Sequence, residues 1–188
     1  TAQVKPITAI TQGDPAGIGP EIVLKTMMEK EIYDTCRPFV IGSKAIMERA
    51  MKLYDMSMPI NLISSPSEGL YTYGTIDLME TGDYDTDSIR WGEIQKLAGQ
   101  MSIDFIMKSI ELGKAGEVDA VSTAPIHKSA IKLVGIKEPG HSEIYQKQTN
   151  STYALTMFSC HKLRVFFVSR HMSVVDACAY ANKERVLQ

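Results

Sequence analysis

Short apolar runs rich in β-branched residues alternate along this chain with stretches in which apolar residues recur every three or four positions. That alternation is the pattern of an α/β fold built around a mainly parallel sheet. The first run, Ile7-Thr8-Ala9-Ile10-Thr11, leads into Gln12-Gly13-Asp14-Pro15-Ala16-Gly17-Ile18-Gly19, after which Pro20 suits the first position of a helix carrying Ile22, Val23, Leu24 and Met27. Phe39-Val40-Ile41 predicts a second strand, Ser43 can cap a helix carrying Ile46, Met47, Ala50 and Leu53, and Ile60-Asn61-Leu62-Ile63 predicts a third strand. Residues 64–90 mix Ser, Pro, Gly, Tyr and Asp around one short strand candidate, Thr75–Met79. They read as an irregular excursion able to hold a substrate or a partner.

Trp91, Ile94, Leu97, Ala98, Met101, Phe105 and Leu112 then fall on one face of a long core helix. Asp119–Ser122 predicts a buried strand ending at Thr123-Ala124-Pro125, and Ile126–Val134 returns to helical character. Pro139-Gly140-His141-Ser142-Glu143 opens another helix, with Ser142 and Glu143 suited to its first turn. Tyr153–Phe158 and Leu163–Val168 predict two further strands, a hairpin or a neighbouring pair. Asn182 suits the cap of a last helix beginning at Lys183, which stops at Gln188 with no closing Gly or Pro. Two readings of that end stay open, a short terminal helix and a piece of a longer domain.

A length of 188 residues fits one full domain or parts of two, and we place an internal boundary near residues 120–130. With 20 Lys+Arg against 22 Asp+Glu and no basic run, the charge pattern excludes nucleic acid as the expected partner. No apolar run reaches the roughly 18 residues of a membrane span, and the first residues lack the layout of a signal peptide, so a cytoplasmic protein with no membrane partner is expected. Cys36, Cys160 and Cys178 are odd in number and widely spaced, which predicts reduced, mostly buried thiols. The 11 Met are expected to fill core gaps.

The loop from Gly13 to Gly19 matches neither common phosphate-binding glycine motif. Its glycines would let the backbone approach an anionic ligand at the start of the next helix, or they serve only a tight turn, with Asp14 and Glu21 repelling a phosphate. Thr123-Ala124-Pro125-Ile126-His127-Lys128 follows a strand end, where α/β sheets bind ligands, and Lys128 could neutralise an anion or sit solvated at the surface. His141 stands at a helix start and His171 just beyond a strand. Cys160-His161 near His171 and Cys178 fits no common structural zinc spacing.

Taken in order, Ile10-Thr11-Gln12-Gly13-Asp14-Pro15-Ala16-Gly17-Ile18-Gly19-Pro20-Glu21, then Thr123–Lys128 through Gly140-His141-Ser142-Glu143, then Leu163-Arg164-Val165 through Ser169-Arg170-His171-Met172-Ser173, resemble the landmarks of the 4-hydroxythreonine-4-phosphate dehydrogenase family of pyridoxal phosphate synthesis. The resemblance runs over essentially the whole chain. It implies a two-domain α/β fold like that of isocitrate and isopropylmalate dehydrogenases, with mainly parallel sheets, of which this chain is the N-terminal portion. It also implies a homodimer with its active site in a cleft near the dimer interface.

By this resemblance His141 and Ser142 match substrate-binding positions, with Ser142 standing where the family usually has Thr, and His171 matches the first of three His ligands to a divalent metal (zinc, magnesium or cobalt). The implied reaction is NAD- or NADP-linked oxidation of 4-hydroxythreonine 4-phosphate followed by decarboxylation. The stretch Leu163–His171 with Asp176-Ala177-Cys178 resembles equally the branch that oxidises D-threonate or D-erythronate 4-phosphate. A non-catalytic sugar-phosphate binding module and a structural zinc domain are the alternatives of other classes. The family's remaining metal and substrate residues fall beyond the point matching Gln188, so the chain by itself is expected to be inactive.

Overall fold

The computed structural model describes residues 4–170 and 172–187. Its backbone contacts divide the chain into one unit ending at Ile144 and a second beginning at Tyr145.

In the first unit the elements run β1 (Ile7–Thr11), α1 (Gly19–Met27), α2 (Lys30–Thr35), β2 (Arg37–Gly42), α3 (Lys44–Leu53), β3 (Ile60–Leu62), β4 (Ile76–Glu80), α4 (Lys96–Ala115), β5 (Ala120–Thr123), α5 (Lys128–Leu133) and the start of α6 (His141–Gln148). The five strands form one sheet in the order β3-β4-β2-β1-β5, and every pairing is parallel. Period-two alternation sorts the strand side chains into two cores. Ala9, Phe39, Ile41 and Met79 pack with Ala98, Met101, Phe105 and Leu112 of α4. Ile10, Val40, Ile76 and Leu78 pack on the other face with Val23, Leu24 and Met27 of α1 and Met47 and Ala50 of α3. Each fully buried large side chain contributes about 1.5–3 kcal/mol, so the sheet is held from both sides, as an all-parallel sheet requires. Met27, Met47, Met51, Met58, Met79 and Met101 are buried in these cores, as the composition predicted, whereas Met28, Met107, Met157 and Met172 are exposed and do not fill core gaps.

The strand expected at Thr75–Met79 within residues 64–90 forms one position further along, and it belongs to the sheet rather than to an irregular excursion. It is β4, which lies between β2 and β3 with Ile76, Asp77, Leu78 and Met79 all buried. The parallel β3-to-β4 connection is held by the Asp77 carboxylate, which accepts Asn61 Nδ2 at 2.7 Å, Leu70 N at 3.1 Å and Tyr71 N at 2.7 Å. One buried acid thus fixes a loop whose composition alone looks irregular. β5 is the reverse case: expected to be buried, it is mostly exposed, because among the described strands it pairs only with β1 and forms a sheet edge. The long helix starts at Lys96, leaving Trp91 and Ile94 outside it. Ser43 holds the cap position of α3, but its side chain makes no cap bond. Glu80 Oε1 instead accepts Lys44 N at 2.9 Å.

The second unit contains the antiparallel pair β6 (Met157–Cys160) and β7 (Leu163–Phe166), then α7 (Val174–Tyr180) and α8 (Lys183–Leu187). The hairpin is shorter at its outer ends than its sequence pattern suggested, and it turns through His161 at φ +50. Every strand residue in it is exposed, and neither α7 nor α8 buries a residue. For that reason Cys160 and Cys178 are exposed free thiols rather than buried ones, and Cys36 is half-buried. Asn182 caps α8 as expected, its Oδ1 accepting Arg185 N at 2.9 Å. The Arg185 guanidinium lies 5.2 Å from the ring centroids of both Tyr153 and Tyr180. No helix among the described residues is long and apolar enough to cross a membrane.

Candidate functional site

β1 has β2 on one side and β5 on the other, so the connections leaving its carboxyl end and that of β5 part company there. Open parallel sheets bind ligands in the crevice at such a point. The loop after β1 and the loop after β5 are tied across it, with Ala124 N donating to Thr11 O at 3.2 Å and Asp14 N to Pro125 O at 2.9 Å.

The glycines of the first loop serve this closure. Gly13 has φ +74, and a Cβ there would stand 2.4 Å from Pro125 O; one on Gly19 would stand 2.3 Å from Gln12 O. Both therefore face the protein's own backbone at distances no side chain tolerates, and they make a packed turn rather than an open phosphate cradle. Gln12 adds a second clamp, since its Oε1 accepts Ser43 N at 3.0 Å and its Nε2 donates to Ser43 O at 3.2 Å. The start of α3 is closed in the same way by Glu80.

Asp14 is only 6% exposed. Its Oδ1 accepts Ala16 N at 2.8 Å, and burial raises its pKa, partly opposed by that bond and by the nearby charge of His127. His127 occupies the cap position of α5 without a side-chain cap bond, and both it and Lys128 are exposed. Sequence reasoning placed Asp14 beside the loop as a repeller of phosphate and missed its burial near the charge of His127, which depends on two segments distant in the chain. It also missed Thr11, whose buried Oγ1 at the end of β1 has no hydrogen-bond partner.

His141 is the first residue of α6, and His141 and Ser142 are half-buried. The His141 Nε2 is out of contact with solvent and has no hydrogen-bond partner, and burial pushes its pKa down. An unmet ring nitrogen of this kind is uncommon, because buried polar atoms are almost always satisfied. Among the described residues no hydrogen bond joins His141 or Ser142 to Asp14 or His127. His171 lies outside the described residues. Among those described, no three His, Cys, Asp or Glu stand together as a metal site. A separate groove of about 370 Å³ at the carboxyl ends of β3 and β4 is lined by Leu62, Ile63, Ser64, Met79, Glu80 and Lys108 and includes none of the predicted residues.

A Clostridium botulinum protein carrying the provisional name D-threonate 4-phosphate dehydrogenase is 42% identical over 97% of this chain and 55% of its own length. A Symbiobacterium thermophilum protein of the same provisional name is 43% identical over the same shares. The crystal structure of a 4-hydroxythreonine-4-phosphate dehydrogenase from Burkholderia phymatum superposes with a TM-score of 0.92 at 34% identity, covering 98% of this chain and 56% of that one. The chain thus spans about half the length of the relatives it matches. Residues 34–188 match the family described as pyridoxal phosphate biosynthetic protein PdxA, and with that match and those relatives the chain belongs to the PdxA family.

Proposed function

We propose that this chain supplies part of the active site of an NAD- or NADP-linked dehydrogenase of a phosphorylated four-carbon hydroxy acid, in the two-domain architecture of isocitrate and isopropylmalate dehydrogenases. The substrate in this reading is 4-hydroxythreonine 4-phosphate. A bound nicotinamide nucleotide would supply the hydride acceptor for the C3 carbinol, whose proton would pass to solvent, and the β-keto acid so formed would lose carbon dioxide.

The observation that carries the reading is His141. Its Nε2 is buried and unpartnered, and the next residue is Ser142. Desolvation keeps the imidazole neutral, so the ring can accept from a substrate hydroxyl or donate to a substrate oxygen. The Ser142 hydroxyl supplies a second such group, and the first N–H groups of α6 favour the anionic end of the substrate.

In this proposal His171 is one ligand of a zinc, magnesium or cobalt ion, and the others come from the longer protein. A homodimer is part of the same reading, supported by the exposed apolar side chains of Phe158, Leu163 and Phe166 on the hairpin. A cytoplasmic site of action is another part.

A second substrate, D-threonate or D-erythronate 4-phosphate, is favoured by the names of the relatives at 42% and 43% identity. Turnover by the longer protein on each phosphate, followed as nicotinamide reduction, separates the two. The 188-residue chain alone is expected to give none. Absence of nicotinamide nucleotide binding by the longer protein, with phosphate-ester binding kept, would replace the dehydrogenase with a binding module.

A further inference from the structure

From Tyr145 on, no described residue is buried, although this second unit forms a hairpin and two helices. Burial of apolar surface is the main force that holds a domain together, and a two-stranded hairpin alone is marginal in water. The side chains are nevertheless those of a core. Val174, Val175 and Leu187 on the helices are exposed, as are Phe158, Leu163 and Phe166 on the hairpin. Residues directly opposite one another in an antiparallel pair share a face, so the register of β6 and β7 sorts the hairpin into two surfaces. Phe158, Cys160, Leu163 and Val165 make one face, which carries no charged group, and its Phe158 and Leu163 are 64% and 63% exposed. Met157, Ser159, Arg164 and Phe166 make the other, apolar at one end and polar at the other.

Two exposed faces need two covers. A second copy related by a two-fold axis sets one patch against the same patch, so the homodimer proposed above accounts for one face only. The mixed face suits it, because subunit interfaces accept arginine and carry polar groups at their rims. The uncharged face has the composition of a domain interior and calls for a cover that is always present. This chain spans about half the length of relatives that match nearly all of it, so the longer protein holds ample polypeptide for that purpose. We propose that the part of the longer protein outside these 188 residues packs on the face of Phe158, Cys160, Leu163 and Val165 and turns the hairpin into one wall of a second core. No catalytic step is involved, so loss of the dehydrogenase reading would leave this contact standing.

Two measurements test it. Cys160 is an exposed thiol on the face in question. Its alkylation by iodoacetamide, followed by mass spectrometry, should be about tenfold or more slower in the longer protein than in the 188-residue chain, because thiol reactivity follows access. That difference should hold at low and at high protein concentration alike. A benzophenone side chain at position 158 of the longer protein (Phe158→p-benzoylphenylalanine) should, on irradiation, cross-link within one chain to residues outside 1–188. The same probe at Val165 replaces it if the first variant does not fold. Mixing light and isotope-labelled chains separates links within a chain from links between copies. Three results overturn the proposal: Cys160 alkylated at equal rates in the two proteins, cross-links that run only between copies, or no cross-link to any residue outside 1–188.

Discussion

The Gln12 carboxamide holds Ser43 by both of its backbone groups, accepting Ser43 N at 3.0 Å and donating to Ser43 O at 3.2 Å. Both residues are buried, and the pair ties the end of β1 to the start of α3. Gln12→Ala leaves Ser43 N without a partner, whereas Ser43 O still accepts Met47 N at 3.1 Å. We expect urea unfolding to show a loss of about 1–3 kcal/mol, the cost of one unsatisfied buried donor. Gln12→Glu should not restore stability, because a carboxylate can accept from Ser43 N but cannot donate to Ser43 O and brings a charge into the core. A Gln12→Glu variant as stable as wild type would contradict the reciprocal arrangement.

Asp77 anchors the connection from β3 to β4 through three donors, two of them the backbone N–H groups of Leu70 and Tyr71. Asp77→Ala strands all three and should destabilise the chain by about 3 kcal/mol or more. Proteolytic cutting should rise first within residues 64–75, because local opening follows the loss of local anchors. Asp77→Asn keeps one acceptor oxygen but sets an amide donor against donors, so it should fall between wild type and Asp77→Ala. Equal protease resistance in all three proteins would remove Asp77 from this role.

What could be read from the sequence was what depends on neighbours in the chain. Pro20 at the start of α1, Asn182 at the start of α8 and the opening of α6 at His141 are local, and each is found where its residue type predicts. The family was legible because its landmarks are contiguous strings. Strand order was not legible. Whether β4 lies inside the sheet and β5 at its edge is set by pairings between residues far apart, such as Val40 with Leu78 and Thr8 with Ala120. The same reason hid the burial of Asp14, whose loop is closed by Pro125, and the exposure of Cys160 and Cys178, which depends on how little their unit buries.

Asp14 should make stability fall as pH rises. Burial raises its folded-state pKa above the unfolded value, so the folded chain binds more protons than the unfolded chain between the two values. Stability then declines as pH climbs through that window and stays lower above it. Asp14→Asn carries no charge and can still accept from Ala16 N. It should therefore melt at a higher temperature than wild type at pH 7, and the difference should narrow as pH is lowered through the acid range. An Asp14→Asn protein less stable than wild type at pH 7 would mean that the bond from Ala16 N and the nearby charge of His127 outweigh the desolvation of the carboxylate.

His141 should act in the opposite sense. Its folded-state pKa is lowered by burial, while the unfolded chain takes up a proton at the ordinary histidine value of about 6.5. The stability held by the neutral ring is complete above that value, is lost as pH falls through the interval down to the folded pKa, and levels off below it. Melting temperatures between pH 7.5 and pH 5 (a range of about one to two units around the ordinary value) should drop less steeply in His141→Gln than in wild type, whatever the absolute stability of the variant. The His141 ring protons followed by NMR in the 188-residue chain should titrate below the ordinary value. A midpoint at or above it, with parallel melting curves, would mean that the ring is solvated and charged. Its Nε2 would then no longer be a neutral group held ready for substrate, and the observation on which the functional proposal rests would be gone.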